Sequence, residues 1–404
     1  MSTRPFVFSC DAHIAEPREL FTSKLPADMQ KWAISGDKTE DGKYIVTKIG
    51  DMEILKVRMN FHGHKTGKTA EALAAEEAEG DRSCTDEKEN FVSDCAVDTK
   101  RRGARDLELR AADMDRDGVD AELVFPSLGL MLPRIPDRDG QRESCKVYND
   151  WALEYCAPMR ERLIPAAMIP CIDLDDALAE CRRTAEMGYA AFCLWEGMDN
   201  YNDPAWDPIF EFAGGNDIPL VFHTGVGNTG IRAMKGPGSA MFNYTRQMND
   251  AVDIITALVA GGVLDRNPKA HILFAEHSAG WLWGLAERMD EIYEGHAPAV
   301  HPKLSRKPSQ IIRDQVHCAL QNDTGSIATR RGVGIEALLY ATDYPHSEGT
   351  FPFSKEVVDR MMTEHPDATM EEFVAVLGGN AAKLFKHANL QAQVDARARE
   401  IQAA

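Results

Sequence analysis

The sequence predicts an α/β fold, a (β/α)8 TIM barrel with a long insertion after the first strand, from two patterns and one missing motif. Eight short apolar runs, FVFSC, AELVFP, LIPAAMI, AAFCLW, IPLVFH, HILFAE, VHCALQ and ALLYAT, are mostly separated by stretches of helical character. Runs that are apolar throughout, rather than at every second residue, describe strands buried on both faces, as in a parallel sheet. Eight such repeats indicate closure into a barrel. No Gly-x-Gly-x-x-Gly turn follows the first run, which disfavours an open, doubly wound sheet.

Taken in order, helices are expected over Leu107 to Asp117, Cys145 to Arg162, Asp173 to Met187, Asp250 to Gly261 and Gly280 to Tyr293, with Asp173 as N-cap and Gly188 as the stop of the third. Residues 28–102 interrupt this rhythm. Within them YIVTKIGDMEILKVRMNF reads as a β-hairpin around Gly50-Asp51, followed by EALAAEEAEGDRS, a charged stretch read as a helix or mobile segment with a solvated face. The loop after His223, TGVGNTGIRAMKGPGSAMFNYTRQ, carries five glycines and is a second lid candidate. One domain over residues 1–390 is expected, with residues 391–404 as a C-terminal tail.

Composition excludes several classes of function. Lysine and arginine number 45 against 64 acidic residues, a net charge of −19, and no basic run stands out. Neither a nucleic acid nor an anionic membrane is an expected partner, because both require clustered positive charge. No apolar stretch approaches the roughly twenty residues of a membrane span. A cytoplasmic location and a small-molecule substrate are the expectation. The nine cysteines form no Cys-x-x-Cys pair, which argues against a zinc knuckle or a disulfide frame.

The chemistry lies at the ends of the strands. Asp11 and His13 close the first, His223 the fifth, His277 the sixth and Asp343 the eighth. Two residues apart on an extended strand, Asp11 and His13 project from one face and can meet one ion. Imidazole and carboxylate are ligands for a divalent transition metal, and strand ends hold them rigidly. Each residue alone also admits a structural reading, as a cap or a hydrogen-bonded core histidine.

Together CDAHIAEP, FAEHSAGWLWG, YATDYPHSEGTFP and GGNAAKLFKH resemble the amidohydrolase superfamily, specifically its amidohydrolase-2 branch, over about residues 5 to 390. The resemblance implies Asp11, His13 and His223 as metal ligands. It places His277 at the metal or against the substrate, and gives Asp343 both a metal contact and proton transfer. It also implies that the insertion folds over the barrel mouth, with a possible homodimer formed through it. The implied cofactor is a divalent metal ion, zinc, manganese or iron, one ion being expected and two possible. Aspartate at the first position makes the site harder and less biased to zinc than histidine would. The implied activity is non-oxidative decarboxylation, as a carboxy-lyase, or hydrolysis of a small carboxylate-bearing aromatic or unsaturated substrate. A dinuclear non-haem iron oxygenase on the same barrel, or a barrel that only binds a metabolite, are the alternatives. Glu16, His62, His64 and His346 are candidates for a second metal or for supporting the first. Trp195 can stack on an unsaturated ring, and Arg134, Arg232 and Arg246 can meet a substrate carboxylate.

Overall fold

The computed structural model describes residues 4–40, 44–58, 102–229, 234–346, 348–387 and 389–402. His62, His64, Arg232 and the charged stretch EALAAEEAEGDRS lie outside the described residues. Strand β1 (Phe8–Ile14) opens the barrel. The chain then leaves it for an antiparallel sheet of β2 (Ile34–Lys38), β3 (Tyr44–Ile49) and β4 (Met52–Arg58), and returns for β5 (Ala121–Pro126), β6 (Leu163–Pro165), β7 (Ala167–Met168), β8 (Phe192–Cys193), β9 (Leu220–His223), β10 (Ile272–Ala275), β11 (Val316–Leu320) and β12 (Leu338–Tyr340).

All eight runs read from the sequence are strands, because each is an unbroken apolar segment that only a two-sided core can cover. Every residue of β1, β5, β9, β10 and β11 is buried. The strands pair in parallel as two arcs, β1-β5-β6 and β7-β8-β9-β10-β11-β12, and do not form one continuous closed ladder. Ala166, between β6 and β7 in a single run, makes the first seam: its N–H donates to Val124 O at 3.0 Å, and that of Ala167 to Ala191 O at 2.9 Å. An isolated parallel bridge between Ala12 and Tyr344 crosses the second.

Parallel register positions the site. His13 lies across from Phe125, His223 across from Ala275, and the Asp343 N–H donates to Asp11 O at 2.8 Å. The strand ends thus share one rim. A register irregularity between Ser9 and Ala12 bends β1 at Asp11 and just before His13, next to a site, where bulges are common.

Local chemistry accounts for the helix ends. Asp106 accepts from the N–H groups of Glu108 and Leu109, and Asp173 from those of Asp175 and Asp176. Gly188 stops the helix Leu174–Met187 in the left-handed region, at φ 95°, where glycine carries no Cβ penalty. The Cys145-to-Arg162 expectation is corrected: that helix is Arg138–Cys156, because Asp137 caps it earlier by accepting from Gly140 N–H. The helix expected from Asp250 starts at Ser239, and its first turns expose Met241, Phe242 and Tyr244, so no buried apolar stripe marks its beginning. Strand β2 had no sequence expectation, since ISGDK lacks an apolar run; it follows from pairing with β3. The hairpin of β3 and β4 is as expected, and this sheet packs toward the barrel through Gly36, where an added Cβ would stand 3.3 Å from Leu128. Seven described cysteines are free and buried, and among the described residues no helix is long and apolar enough to cross a membrane.

One buried ion pair ties the helix Leu107–Asp117 to the rim. The Arg110 guanidinium reaches Glu122 on β5 at 2.6 Å and donates to His13 O at 2.7 Å, and all three residues are buried. Arg110→Met is expected to lower stability by about 3–5 kcal/mol, because Glu122 is left charged and unpaired in the core. Denaturant titration checks this: an unchanged midpoint would mean that the pair holds nothing.

Candidate metal centre

Four strand ends deliver a compact donor set. His13 Nε2 lies 3.1 Å from His223 Nε2, 3.6 Å from Asp11 Oδ1 and 3.4 Å from Asp343 Oδ1, while His223 Nε2 is 3.4 Å from Asp11 Oδ1. His346 Nδ1 stands 2.7 Å from Asp343 Oδ1, and Glu276 Oε2 is 3.8 Å from His223 Nε2. Three overlapping sets, Asp11-His13-His223, His13-Asp343-His346 and Asp11-Glu276-Asp343, each keep their ligand atoms within 4.8 Å of one another.

The tautomers follow from neighbouring carbonyls, which can only accept. His13 Nδ1–H donates to Pro126 O at 3.0 Å and His223 Nδ1–H to Thr224 O at 2.9 Å. In neutral rings both Nε2 atoms then present lone pairs to each other. Such a contact is repulsive unless a positive charge sits in it, either a proton or a metal ion. The carboxylates point to the same need: both Asp11 oxygens and Asp343 Oδ2 are buried with no hydrogen-bond partner. Carbonyl-anchored imidazoles beside unpartnered buried carboxylates fit a divalent transition metal.

The electrostatics agree. Burial lowers the His223 pKa, but the negative charges of Asp11 and Glu276 overcome it and raise the value to about 9. His346 likewise rises to about 9, burial being outweighed by Asp343. His13 falls to about 4 through burial and the nearby His346. Burial would raise Asp343, yet His346 and His13 hold it well below the usual carboxylate range. Glu276, its side chain 19 % exposed, is pushed well above its usual range by burial and by Asp343.

His277 stands apart from these donors, although the metal was one of its two expected places. Its Nδ1–H donates to Ala275 O at 2.7 Å and its Nε2 faces Glu196 Oε1 at 2.9 Å. Both Glu196 oxygens are otherwise unpartnered and buried, and burial raises the Glu196 pKa. A carboxylate facing an imidazole whose other nitrogen already carries hydrogen requires a proton between them.

The remaining candidates separate clearly. Glu16 is not brought to the centre: its carboxylate accepts from the N–H groups of Ser127, Leu128 and Gly129 at 3.3, 3.0 and 2.7 Å. Gly129 is required there, since a Cβ would stand 2.9 Å from Glu16 Oε1 and 2.7 Å from Pro126 Cβ. Glu16→Ala is expected to cost about 1–3 kcal/mol per orphaned N–H while leaving metal content as in the wild type; a halved metal content would return Glu16 to the ligand set. Trp195 donates its indole N–H to Val226 O at 2.7 Å, and Arg134 Nη2 donates to Val226 O and Gly227 O at 3.2 Å. Both hold the loop after His223. Arg246 is exposed on the helix Ser239–Ala260. His271, just before β10, and His317 on β11 meet with ring nitrogens 3.1 Å apart, away from this cluster.

Glu196 and Glu276 were missed in the sequence. Glu196 follows Trp195 at the end of a strand run and obeys the same positional rule as the residues chosen. Glu276 was masked by its neighbour His277. Its backbone is left-handed, φ 62°, as is that of Asp343 at 55°, and no local pattern announces such a turn for these residues.

Fold and donor set together define a (β/α)8 barrel with a metal-ligand cluster at its mouth. The amidohydrolase family model matches residues 10–386, and the chain belongs to that family, as an enzyme of the amidohydrolase superfamily. No curated protein matches the sequence. Among solved structures, an amidohydrolase from Mycobacterium avium subsp. paratuberculosis K-10 is similar at TM-score 0.70 and 18 % identity, covering 95 % of this chain and 99 % of that one. The 5-carboxyvanillate decarboxylase LigW from Sphingomonas paucimobilis gives 0.63 and 18 %, over 95 % and 100 %. A dihydroxybenzoic acid decarboxylase from Polaromonas sp. JS666, solved with manganese and 2-nitroresorcinol, gives 0.57 and 15 %, over 95 % and 97 %.

Proposed function

We propose that this enzyme uses a divalent cation held by Asp11, His13, His223 and Asp343 to decarboxylate a small aromatic or unsaturated acid without oxidation. The observation that carries the reading is the 3.1 Å contact between two imidazole Nε2 atoms, flanked by unpartnered Asp11 and Asp343. The bound cation would supply Lewis acidity, drawing charge from a substrate oxygen. The decarboxylases among similar folds support the choice of reaction over hydrolysis, which the same ligands also permit.

In this reading Asp343 is the proton-transfer residue. Its Oδ1 is fixed by His13 and His346, while Oδ2 has no partner and is free to hold a proton taken from a substrate hydroxyl or from solvent. As the bond from ring or alkene carbon to carboxylate breaks, carbon dioxide leaves, the electron pair stays on carbon, and the proton passes from Asp343 to that carbon. The proton shared by Glu196 and His277 stabilises negative charge developing on the substrate. Manganese-loaded enzyme offered a panel of hydroxylated aromatic and unsaturated acids should release carbon dioxide without consuming oxygen. Lactone or amide cleavage with no carbon dioxide would replace this reading by hydrolysis, and oxygen uptake would replace it by oxygenase chemistry.

A further inference from the structure

We propose that a cavity at the far end of the barrel, lined by Lys269, His271 and Lys383, is a second small-molecule site that takes a hydroxylated organic acid. The cavity measures about 480 Å³, within the range of small-molecule sites. It lies where the strands begin: Pro219 and His271 stand directly before β9 and β10, whose opposite ends carry His223 and Glu276. The four residues of β10 separate His271 from Glu276 by roughly 13 Å, at about 3.3 Å per residue. This site is therefore independent of the metal centre and of the reaction proposed there.

Two imidazoles in series fix what the cavity wall can accept. Glu336 O is a carbonyl, so His317 Nδ1–H donates to it at 2.9 Å. Burial and the neighbouring His271 lower the His317 pKa to about 3, which keeps the ring neutral and its Nε2 an acceptor. His271 Nδ1–H fills that position at 3.1 Å. The His271 pKa is also lowered by burial, and its Nε2 is left as an acceptor with no partner among the described residues. In the same wall Asn380, 4 % exposed, donates through Nδ2 to Ile335 O and Leu338 O at 2.8 and 2.9 Å, and its Oδ1 has no donor. This wall lacks donors, and a ligand O–H supplies one to His271 Nε2. Charge defines the other end of the ligand. Lys269 and Lys383 make no ion pair among the described residues, and of the carboxylates in the lining only Glu336 is likewise unpaired, since Asp217 meets Lys386 at 2.6 Å and Asp314 meets Arg306 at 3.1 Å. Two available ammonium groups in a chain of net charge −19 suit an acid group. Ile218, Pro219 and Leu384 add apolar wall that an inorganic anion would leave uncovered, so the acid is organic.

The test is calorimetric titration of 4-hydroxybenzoate into full-length protein. His223→Ala, altered only at the mouth, should still bind the probe. Adding Lys269→Ala and Lys383→Ala, both at exposed positions, should weaken that binding by at least about 10-fold, as expected for loss of a charge-assisted hydrogen bond. The lysine pair made in wild type should lose the same component, so the reading does not hang on the folding of His223→Ala. His271→Phe should abolish the preference for 4-hydroxybenzoate over benzoate, which lacks the hydroxyl. Binding indifferent to the lysine pair in both backgrounds, or no binding by wild type at the solubility limit of the probe, would overturn the site and leave the metal-centre reading intact. Inorganic phosphate binding as tightly as 4-hydroxybenzoate would overturn the organic acid as its ligand.

Discussion

Asparagine at position 343 is expected to lower kcat by at least about 100-fold, the lower end for removal of a general acid–base group. The substitution is nearly isosteric, and asparagine tolerates the left-handed backbone that Asp343 adopts at φ 55°. The bond from its N–H to Asp11 O is main-chain and survives. What disappears is a carboxylate able to take and return a proton at Oδ2, together with one negative charge facing His13 and His346. Steady-state kinetics at saturating metal should show the loss in kcat, with KM changed less, because the missing interaction belongs to the transition state. A variant within a few-fold of wild type would remove Asp343 from proton transfer.

The second large effect falls on His277. Since its Nε2 faces Glu196 and not the ligand cluster, His277→Asn should leave metal content unchanged while kcat falls by about 100-fold or more. Glu196→Gln acts through His277, and about 10- to 100-fold is the expected loss for a residue in that supporting position. It should also displace the pH profile, because the proton shared by the pair then has one strong acceptor fewer. Loss of metal from His277→Asn would instead make His277 a ligand.

Much of the barrel was legible because its strands are buried on both faces, so that continuous apolar runs such as IPLVFH and HILFAE stand out from any surface element. The ends of those runs then pointed to Asp11, His13, His223 and Asp343, which the parallel register does bring together. Less legible was everything decided by side-chain direction beyond the strand end. Glu16 and Glu276 are both acidic and both near a strand-end histidine; one is buried against the three backbone N–H groups of residues 127–129, and the other reaches the donor cluster from a left-handed backbone position. The pairing that makes ISGDK a strand likewise depends on a partner strand, whereas the Asp137 cap that starts a helix earlier than its apolar pattern is a local signal that was passed over.

The central claim is that residues far apart in sequence share a cation at the barrel mouth. A crystal of the full chain grown with manganese, with data collected at the manganese absorption edge, tests it most directly. An anomalous peak is expected at bonding distance, about 2.0–2.3 Å, from the imidazole nitrogens of His13 and His223 and from carboxylate oxygens of Asp11 and Asp343. A map without a peak there, with His13 and His223 still face to face and manganese bound elsewhere or nowhere, would contradict it.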